Sequence, residues 1–348
     1  MEEAIKRGYE VYELNRGMTR GTRRAVQHQV HEIIADIRDE EAVLRALGHE
    51  TFDVVCDFIC FNDHQARQAI RLFSGKCSQY IVISSEAVYR RESRYLPFRE
   101  DTPQYSEDVE DSYILGKIHV EKTFRDAYRK YGFPVTVVRP GYTYDTIVQM
   151  PVGQNCFTAP RKLIEGYPFL MPGDGENLVA PLHSRDFAKA FAGLIGNKET
   201  IGEDYHIAAE KLITWNEMAK DILLALDLDP ENILHIPYAE AMKITEFYSS
   251  VVNRQHMWHY LFDDTKIKNV VPQWRQETSF AEGIKETISW LLADPKRQRM
   301  NPDYDRKLEG IYARYWLPFT EQGKLDKKRN HVNGNRYGKG NKNELSDL

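Results

Sequence analysis

Three side chains at defined positions could carry acid/base chemistry on a hydroxyl or carbonyl group. Tyr113 and Lys117 are four residues apart in a segment with a helical pattern, so the phenol and the ammonium lie on one helical face. A free phenol has a pKa of about 10, and a neighbouring positive charge favours the phenolate. Ser85 follows an apolar strand pattern, and its hydroxyl could orient a proton transfer between the phenol and a substrate. A Tyr and a Lys at this spacing are common on helices, so other elements must support the assignment.

The elements that would position these residues alternate between strand and helix patterns. The strand patterns are short and apolar nearly throughout, which is typical of a parallel sheet covered by helices on both faces. The sequence therefore predicts an α/β fold with a doubly wound parallel sheet of the dinucleotide-binding type. The predicted strand segments are 9–14, 30–37, 51–61, 77–89 and 134–144.

The alternation loosens after residue 145, where Gly and Pro turns separate shorter helices and strands. We predict a first domain over 1–145, rejoined by about 178–200, and a smaller, interleaved substrate-binding α/β region over 146–320. The last segment, 321–348, is rich in Lys, Asn and Gly and almost lacks apolar residues, which predicts a disordered basic tail.

Composition excludes several classes of function. The formal net charge of −5 over 348 residues gives no general attraction to nucleic acid or to anionic membranes. The four cysteines are too few and too scattered for a disulfide framework, and Cys56 and Cys60 lie in an apolar run typical of buried thiols, so we predict no metal site. No apolar run approaches the length of a membrane span and no signal-peptide pattern opens the sequence, which favours a cytoplasmic location.

Further motifs accompany the Tyr–Lys pair in a defined order. The sequence has S-S-x-x-V-Y at 84–89, Y-x-x-x-K at 113–117, R-P-x-x-x-Y at 139–144, and Asp36-Ile37 within the second strand pattern. In this order and spacing, from residue 1 to about 295, the chain resembles the extended short-chain dehydrogenase/reductase family, in its NAD-dependent epimerase/dehydratase branch. The resemblance implies a Rossmann-type domain, a nucleotide-sugar substrate, and a homodimer formed through the Tyr–Lys helix and the helix before it.

The resemblance also implies a role for each matched residue. Tyr113 would exchange a proton with a substrate hydroxyl while a hydride passes to or from nicotinamide. Lys117 would bind the nicotinamide ribose and lower the pKa of Tyr113, and Ser85 would be the catalytic hydroxyl. The implied cofactor-binding residues are Asn15, Arg16, Asp36, Ile37, Lys117, Arg139 and Pro140. The candidates for substrate binding are Glu86, Tyr142, Asn155, Arg161 and Arg254.

The chain departs from the family pattern at the phosphate-binding loop. The family has a strand and a G-x-x-G-x-x-G loop before the helix that corresponds to residues 2–7, and the printed sequence has neither. That loop brings backbone N–H groups and a helix N-terminus to a pyrophosphate. Without it, several charge-assisted hydrogen bonds of roughly 1.5–3 kcal/mol each are missing. We therefore expect weak binding of a dinucleotide.

Two other departures bear on specificity. Asn15 and Arg16 follow the first strand pattern, where the family has an acidic residue for the adenosine ribose, and a guanidinium there favours NADP over NAD. Ala87 stands where the 4,6-dehydratases of the family have a Glu, which disfavours dehydratase chemistry.

Three interpretations remain open at this level. The first is an NAD(P)-dependent epimerase or oxidoreductase acting on a nucleotide sugar or a related hydroxyl or carbonyl substrate. The alternative is a non-catalytic relative that binds a cofactor weakly and possesses RNA-binding capacity, like the chloroplast stem-loop-binding proteins. A third interpretation is that Met1 is an internal start and that the protein begins about two dozen residues upstream.

Overall fold

A computed structural model describes residues 1–17, 29–153, 155–244 and 257–317. The helices are α1 Glu2–Lys6, α2 Glu40–Leu47, α3 Asp63–Phe73, α4 Ser112–Tyr131, α5 Thr158–Ile164, α6 Ser184–Ala192, α7 Trp215–Ala225, α8 Tyr238–Ile244, α9 Thr265–Val270, α10 Phe280–Leu292 and α11 Pro302–Tyr315. The strands are β1 Val11–Asn15, β2 Val30–Ile34, β3 Phe52–Asp57, β4 Cys77–Ile83, β5 Val135–Pro140, β6 Tyr142–Tyr144, β7 Phe169–Pro172, β8 Leu178–Val179, β9 Pro181–His183, β10 Asp204–Ile207, β11 Ile213–Thr214 and β12 Ile233–Ile236.

The largest sheet has four parallel strands in the order β10-β5-β4-β3. Successive residues of β4 enter opposite cores, because side chains alternate along a strand. Tyr80 and Val82 belong to a core with Phe124 of α4, whereas Ile81 belongs to a second core with Phe191 of α6. Helices therefore cover both faces of the sheet, and the predicted α/β class with a doubly wound parallel sheet is confirmed.

Strands β1 and β2 form a separate parallel pair, with Asn15 opposite Ile34. Leu14 and Ile33 of this pair pack against the same core as β4. Within the described residues no strand lies between β1 and β3, and each of these two strands is paired along one edge. The rings of Tyr12 and Phe52 contact each other across this position, with centroids 5.6 Å apart.

The chain divides into two compact units, and the division differs in part from the predicted domains. The first unit comprises 1–143, 180–212 and 260–278, and the second comprises 144–179, 213–259 and 279–348. The predicted first boundary and the return near residue 178 lie within two residues of this division. The stretches 201–212 and 260–278, which we assigned to the substrate-binding region, belong to the first unit. The predicted tail at 321–348 lies outside the described residues.

The physical reason for this difference is the pairing of a short strand. β10 pairs in parallel with β5 and so extends the main sheet, while α9 packs beside it. Tyr205 of β10 and Ile267 of α9 are buried together in the second core of the sheet. A four-residue strand gives too short a pattern to reveal its partner from sequence.

In the second unit, β7 pairs with β12 and α7 packs on α10. The predicted capping box at the start of α7 is present, because Glu217 N donates to Thr214 Oγ1 at 3.1 Å and Thr214 N donates to the Glu217 carboxylate at 2.6 Å. Over the described ranges, the chain has no helix with the length and apolar character needed to span a membrane.

Candidate active site

Ser85 lies just beyond the carboxyl end of β4, at the start of a short 3₁₀ turn, Glu86–Val88. Its Oγ accepts a hydrogen bond from Ala87 N at 3.1 Å, which caps the turn and fixes the position of the hydroxyl. In open parallel sheets, functional groups gather at the carboxyl ends of the strands. Ser85 therefore lies at such an edge, and its role as the catalytic hydroxyl stays a prediction.

Tyr113 is held in the first turn of α4. The carboxylate of Asp111 accepts hydrogen bonds from the backbone N–H of Tyr113 at 3.0 Å and of Ile114 at 3.1 Å, so the helix begins at a fixed point. Tyr113 and Ser85 lie near enough for the serine hydroxyl to act on the phenol. Burial raises the pKa of Tyr113 and the charges of Glu86 and Asp111 raise it further, while the Ser85 hydroxyl acts in the opposite direction.

Lys117 lies one turn further along α4 and is 1% exposed. Its ammonium donates to the backbone oxygens of Cys60 at 2.7 Å and Ile83 at 2.8 Å, and lies 5.9 Å from the ring centroid of Tyr113. Burial lowers the pKa of Lys117 to about 8. We expected Lys117 to lower the pKa of Tyr113, but in this structure the pKa of Tyr113 is raised, because burial and two carboxylates outweigh the favourable contacts.

A close approach of two backbones lets Lys117 reach the loop after β3. A Cβ atom on Gly116 would lie 2.2 Å from the backbone oxygen of Phe61, which is far inside van der Waals contact. The ring of Phe61 covers the ammonium of Lys117 at 4.5 Å. Gly116 therefore admits the loop that carries Cys60 and Phe61 against the Tyr–Lys face of α4.

We expect Gly116→Ala to lower the free energy of unfolding by about 1–3 kcal/mol, because the loop backbone must shift. Loss of the Lys117 bond to Cys60 should accompany this shift. A matched control is Gly310→Ala in α11, where a Cβ meets nothing within 4 Å. That change should stabilise the protein by about 0.5–1 kcal/mol, since Ala is the better helix former. Chemical denaturation of both variants measures the two changes in unfolding free energy. If Gly116→Ala stabilises the protein as much as Gly310→Ala does, the backbone of Phe61 does not exclude a Cβ atom at residue 116.

Arg139 has a different place from the one that the resemblance implied. It is 1% exposed, and its donors are engaged inside the protein. They bond both carboxylate oxygens of Glu121 at 2.8–2.9 Å, Asp204 at 2.9 Å, the Tyr89 hydroxyl at 3.1 Å and the Glu100 backbone oxygen at 3.0 Å. These contacts leave the guanidinium no N–H group to offer a cofactor.

Glu121 connects this buried ion cluster to the candidate site. It lies one turn after Lys117 on α4, is fully buried, and accepts a hydrogen bond from Ser84 Oγ at 2.6 Å. Burial acts to raise the pKa of Glu121, but the charges of Arg139 and Arg125 outweigh it and the pKa is lowered. The ionised cluster therefore fixes Ser84, the residue before Ser85. Sequence analysis missed Glu121, although its spacing from Lys117 was visible.

The residues predicted for the adenosine end of a cofactor lie at the carboxyl ends of β1 and β2. The side-chain oxygen of Asn15 accepts from Gly17 N at 2.6 Å, which closes the turn. The carboxylate of Asp36 pairs with Arg38 at 2.5 Å, and the hydrogen bonds from Arg38 lower the pKa of Asp36, with a smaller contribution from the Arg16 charge. Sequence analysis missed Arg38. Ile37 is half-buried against the core of β4.

The other predicted residues are dispersed. Pro140 ends β5 opposite Ile207, and Tyr142 follows it in a half-buried position. Asn155 and Arg161 belong to the second unit, where Arg161 is exposed and pairs with Glu165 at 3.2 Å. Arg254 lies outside the described residues.

Comparison with known proteins assigns the family. Residues 1–208, more than half of the chain, match the model of the NAD dependent epimerase/dehydratase family. The chain belongs to this family. The resemblance of its motifs to the epimerase/dehydratase branch is thereby confirmed.

Two curated relatives of this family member come from Arabidopsis thaliana. The chain is 28% identical over 258 residues to chloroplast stem-loop binding protein of 41 kDa b, covering 73% of this chain and 62% of the relative. It is 26% identical over 245 residues to a trifunctional UDP-glucose 4,6-dehydratase, 3,5-epimerase and reductase, covering 68% of this chain and 32% of the relative. The chain thus spans less than two thirds of the length of either relative.

Among solved structures, the dTDP-glucose 4,6-dehydratase of Bacillus anthracis in complex with NAD superposes with a TM-score of 0.66 at 18% identity. The match covers 85% of this chain and 93% of the dehydratase chain. At this level of identity the likeness establishes the fold of the family member.

Proposed function

We propose that this family member is an NAD(P)-dependent epimerase or oxidoreductase that acts on a nucleotide sugar or a related hydroxyl or carbonyl substrate. The observation that carries the proposal is the placement of Ser85 and Tyr113 near each other, with the buried ammonium of Lys117 5.9 Å from the ring centroid of Tyr113. Relatives whose names include dehydratase and epimerase activities on nucleotide sugars support it. A homodimer formed through α3 and α4 and a cytoplasmic location stay predictions.

The residues at the nicotinamide end fit a dinucleotide. Lys117 is a buried ammonium that uses two of its three N–H groups on backbone oxygens, which leaves one for a ribose hydroxyl. Arg16 and Arg38 at the ends of β1 and β2 would hold the adenosine end, and two guanidinium groups favour the 2′-phosphate of NADP. When bound, the nicotinamide would accept a hydride from the substrate and give it back.

The chain's own residues move the proton. In the oxidation direction, the Tyr113 phenolate removes the proton from a substrate hydroxyl, and in the reduction direction the phenol returns it. The Ser85 hydroxyl lies near the phenol and orients the substrate oxygen toward it. The buried Lys117 charge, held between two backbone oxygens, lies on the same face and favours a negative charge on the substrate side of the site.

A thermal-shift titration tests the proposal directly. We expect the melting temperature to rise on titration with NADPH and with NADH, because both would bind only the folded state. A ligand at about ten times its Kd stabilises the folded state by roughly 1.4 kcal/mol. The shift with NADPH should exceed that with NADH, and Arg16→Gln should reduce the difference, since Arg38 is still present. If neither cofactor raises the melting temperature at millimolar concentration, the proposal that this chain is an NAD(P)-dependent enzyme is contradicted.

A second candidate function is suggested by the chloroplast stem-loop binding relative. A cofactor-weak protein of this family with an RNA partner would agree with the Lys-rich segment 321–348, whereas the net charge of −5 opposes it. Filter binding of a labelled RNA stem-loop at 150 mM salt separates the two functions. Retention of RNA together with no cofactor shift would favour the second function over the enzyme.

A further inference from the structure

The ammonium group that the proposed function assigns to the cofactor ribose is covered in this structure. Lys117 is 1% exposed, although the ring of Phe61 that lies over its ammonium is itself 46% exposed. The ring centre is 4.5 Å from Lys117 Nζ, and the backbone oxygens of Cys60 and Ile83 accept hydrogen bonds from it at 2.7 and 2.8 Å. A ribose hydroxyl therefore does not reach Lys117 while the Phe61 ring keeps this position.

The backbone at Phe61 is fixed from two sides. Its N–H donates to the side-chain oxygen of Gln65 at 2.7 Å, and Gln65 N donates to Asn62 Oδ1 at 2.9 Å, where α3 begins. Its carbonyl oxygen lies against Gly116 of α4, at a distance that leaves no room for a Cβ atom. A shift of the loop would break these contacts, whereas the half-exposed ring can change its rotamer without breaking any of them. The ring is therefore the part of the cover that can move.

The ring of Phe61 and a ribose hydroxyl would compete for the same ammonium. Lys117 has three N–H groups, and two of them are used on backbone oxygens. In the ligand-free protein the negative face of the ring attracts the ammonium, whose charged form burial disfavours. A bound hydroxyl would accept a hydrogen bond from the same group. The contact with the ring must therefore be given up when the hydroxyl bond is formed.

We propose that Phe61 is a positioning residue that gates Lys117: its ring covers the ammonium in the ligand-free protein and turns away when the nicotinamide ribose binds. The inference rests on the proposed function, because the ribose of the cofactor is the group that displaces the ring. Its consequence is that the native ring opposes cofactor binding. Sequence analysis did not identify Phe61, since only the folded chain brings the loop after β3 onto α4.

Chemical labelling of the ligand-free full chain tests the gate without any cofactor. Reductive methylation, followed by mass spectrometry of peptides, should leave Lys117 largely unmodified in the wild type and modify it several-fold faster in Phe61→Ala. Lys122 lies on the same helix with a side chain 60% exposed, so it serves as the internal reference and should react at the same rate in both proteins. Equal rates at Lys117 in the two proteins overturn the gate.

Calorimetric titration with NADPH tests the competition. Phe61→Ala should bind NADPH about 2–5-fold more tightly than the wild type, because the contact that the ribose must displace is gone. Trifluorophenylalanine at position 61 keeps the shape of the ring but weakens its negative face, so this protein should also bind more tightly, by a smaller factor. A ring that only packs against the loop would instead give unchanged or weaker binding in Phe61→Ala, and that result overturns the gate.

Phe58 provides a matched control in the same loop. It is 52% exposed, and its ring packs against the ring of Phe191 with centroids 5.5 Å apart. Phe58→Ala should neither tighten NADPH binding nor speed the labelling of Lys117. Equal gains in Phe58→Ala would trace the effect to a general loosening of the loop and would overturn the assignment to Phe61.

The two measurements separate this inference from the proposed function. Faster labelling of Lys117 in Phe61→Ala together with tighter NADPH binding supports both. NADPH binding by the wild type that is unchanged or weaker in Phe61→Ala overturns the gate and leaves the proposed function standing. Absence of NADPH binding by both proteins at millimolar concentration overturns the proposed function and the gate together.

Discussion

Tyr113→Phe is expected to lower kcat/KM by about 10²–10⁴-fold, because the variant keeps the ring and loses the group that transfers the proton. Burial and the nearby carboxylates raise the pKa of Tyr113, so a small fraction is phenolate at neutral pH. In the oxidation direction, where the phenolate is the base, the rate of the wild type should therefore rise with pH between about 7 and 9. The variant should lack this rise. Turnover of UDP-glucose and dTDP-glucose with NADP or NAD measures both effects.

Two controls separate chemistry from folding in this experiment. The NADPH thermal shift should be the same in Tyr113→Phe and wild type, since the phenol acts on the substrate oxygen. Tyr131→Phe changes the same residue type at the end of the same helix, where Tyr131 is 82% exposed, and should have no effect on turnover. Full turnover by Tyr113→Phe would remove Tyr113 from the mechanism.

The parts of the fold that follow from local pattern could be predicted from the sequence. Each predicted strand segment contains a strand, because short apolar runs bounded by polar turns report burial on both faces of a sheet. The helix that carries Tyr113 and Lys117 follows from its own periodicity, and its end at Gly132 uses a left-handed conformation that Gly adopts without strain. For these elements, the local sequence pattern alone is sufficient to predict the secondary structure.

The contacts of long side chains could not be predicted in this way. The motif placed Arg139 at the cofactor, but the folded chain surrounds its guanidinium with Glu121 from α4 and Asp204 from β10. These three residues come from segments far apart in sequence, and no periodicity records which carboxylate an arginine will meet.

Glu121→Ala is expected to destabilise the first unit by about 3–5 kcal/mol, because removal of one partner of a buried ion pair leaves an uncompensated charge. The carboxylate of Glu121 accepts from Arg139 at 2.8 Å and from Ser84 at 2.6 Å, and is fully buried. The change also removes the hydrogen bond that holds Ser84, the residue before Ser85. The specific activity of the molecules that remain folded should therefore be lower than that of the wild type. Because the pKa of Glu121 is lowered in the folded state, its contribution is present above about pH 4.5 and is lost as the pH falls toward the folded-state pKa.

The neighbouring residue provides the control for this loss. Lys122 pairs with Glu107 on the surface, with side chains 60% and 57% exposed, so Lys122→Ala should cost at most about 1 kcal/mol. In urea denaturation at pH 7, the loss of unfolding free energy should be several-fold larger for Glu121→Ala than for Lys122→Ala. At pH 3 the difference in unfolding free energy between Glu121→Ala and wild type should be smaller than at pH 7. Equal costs for the two variants would mean that water reaches the Glu121–Arg139 pair and screens it. The ion cluster would then not be the element that fixes Ser84 and Ser85 against α4.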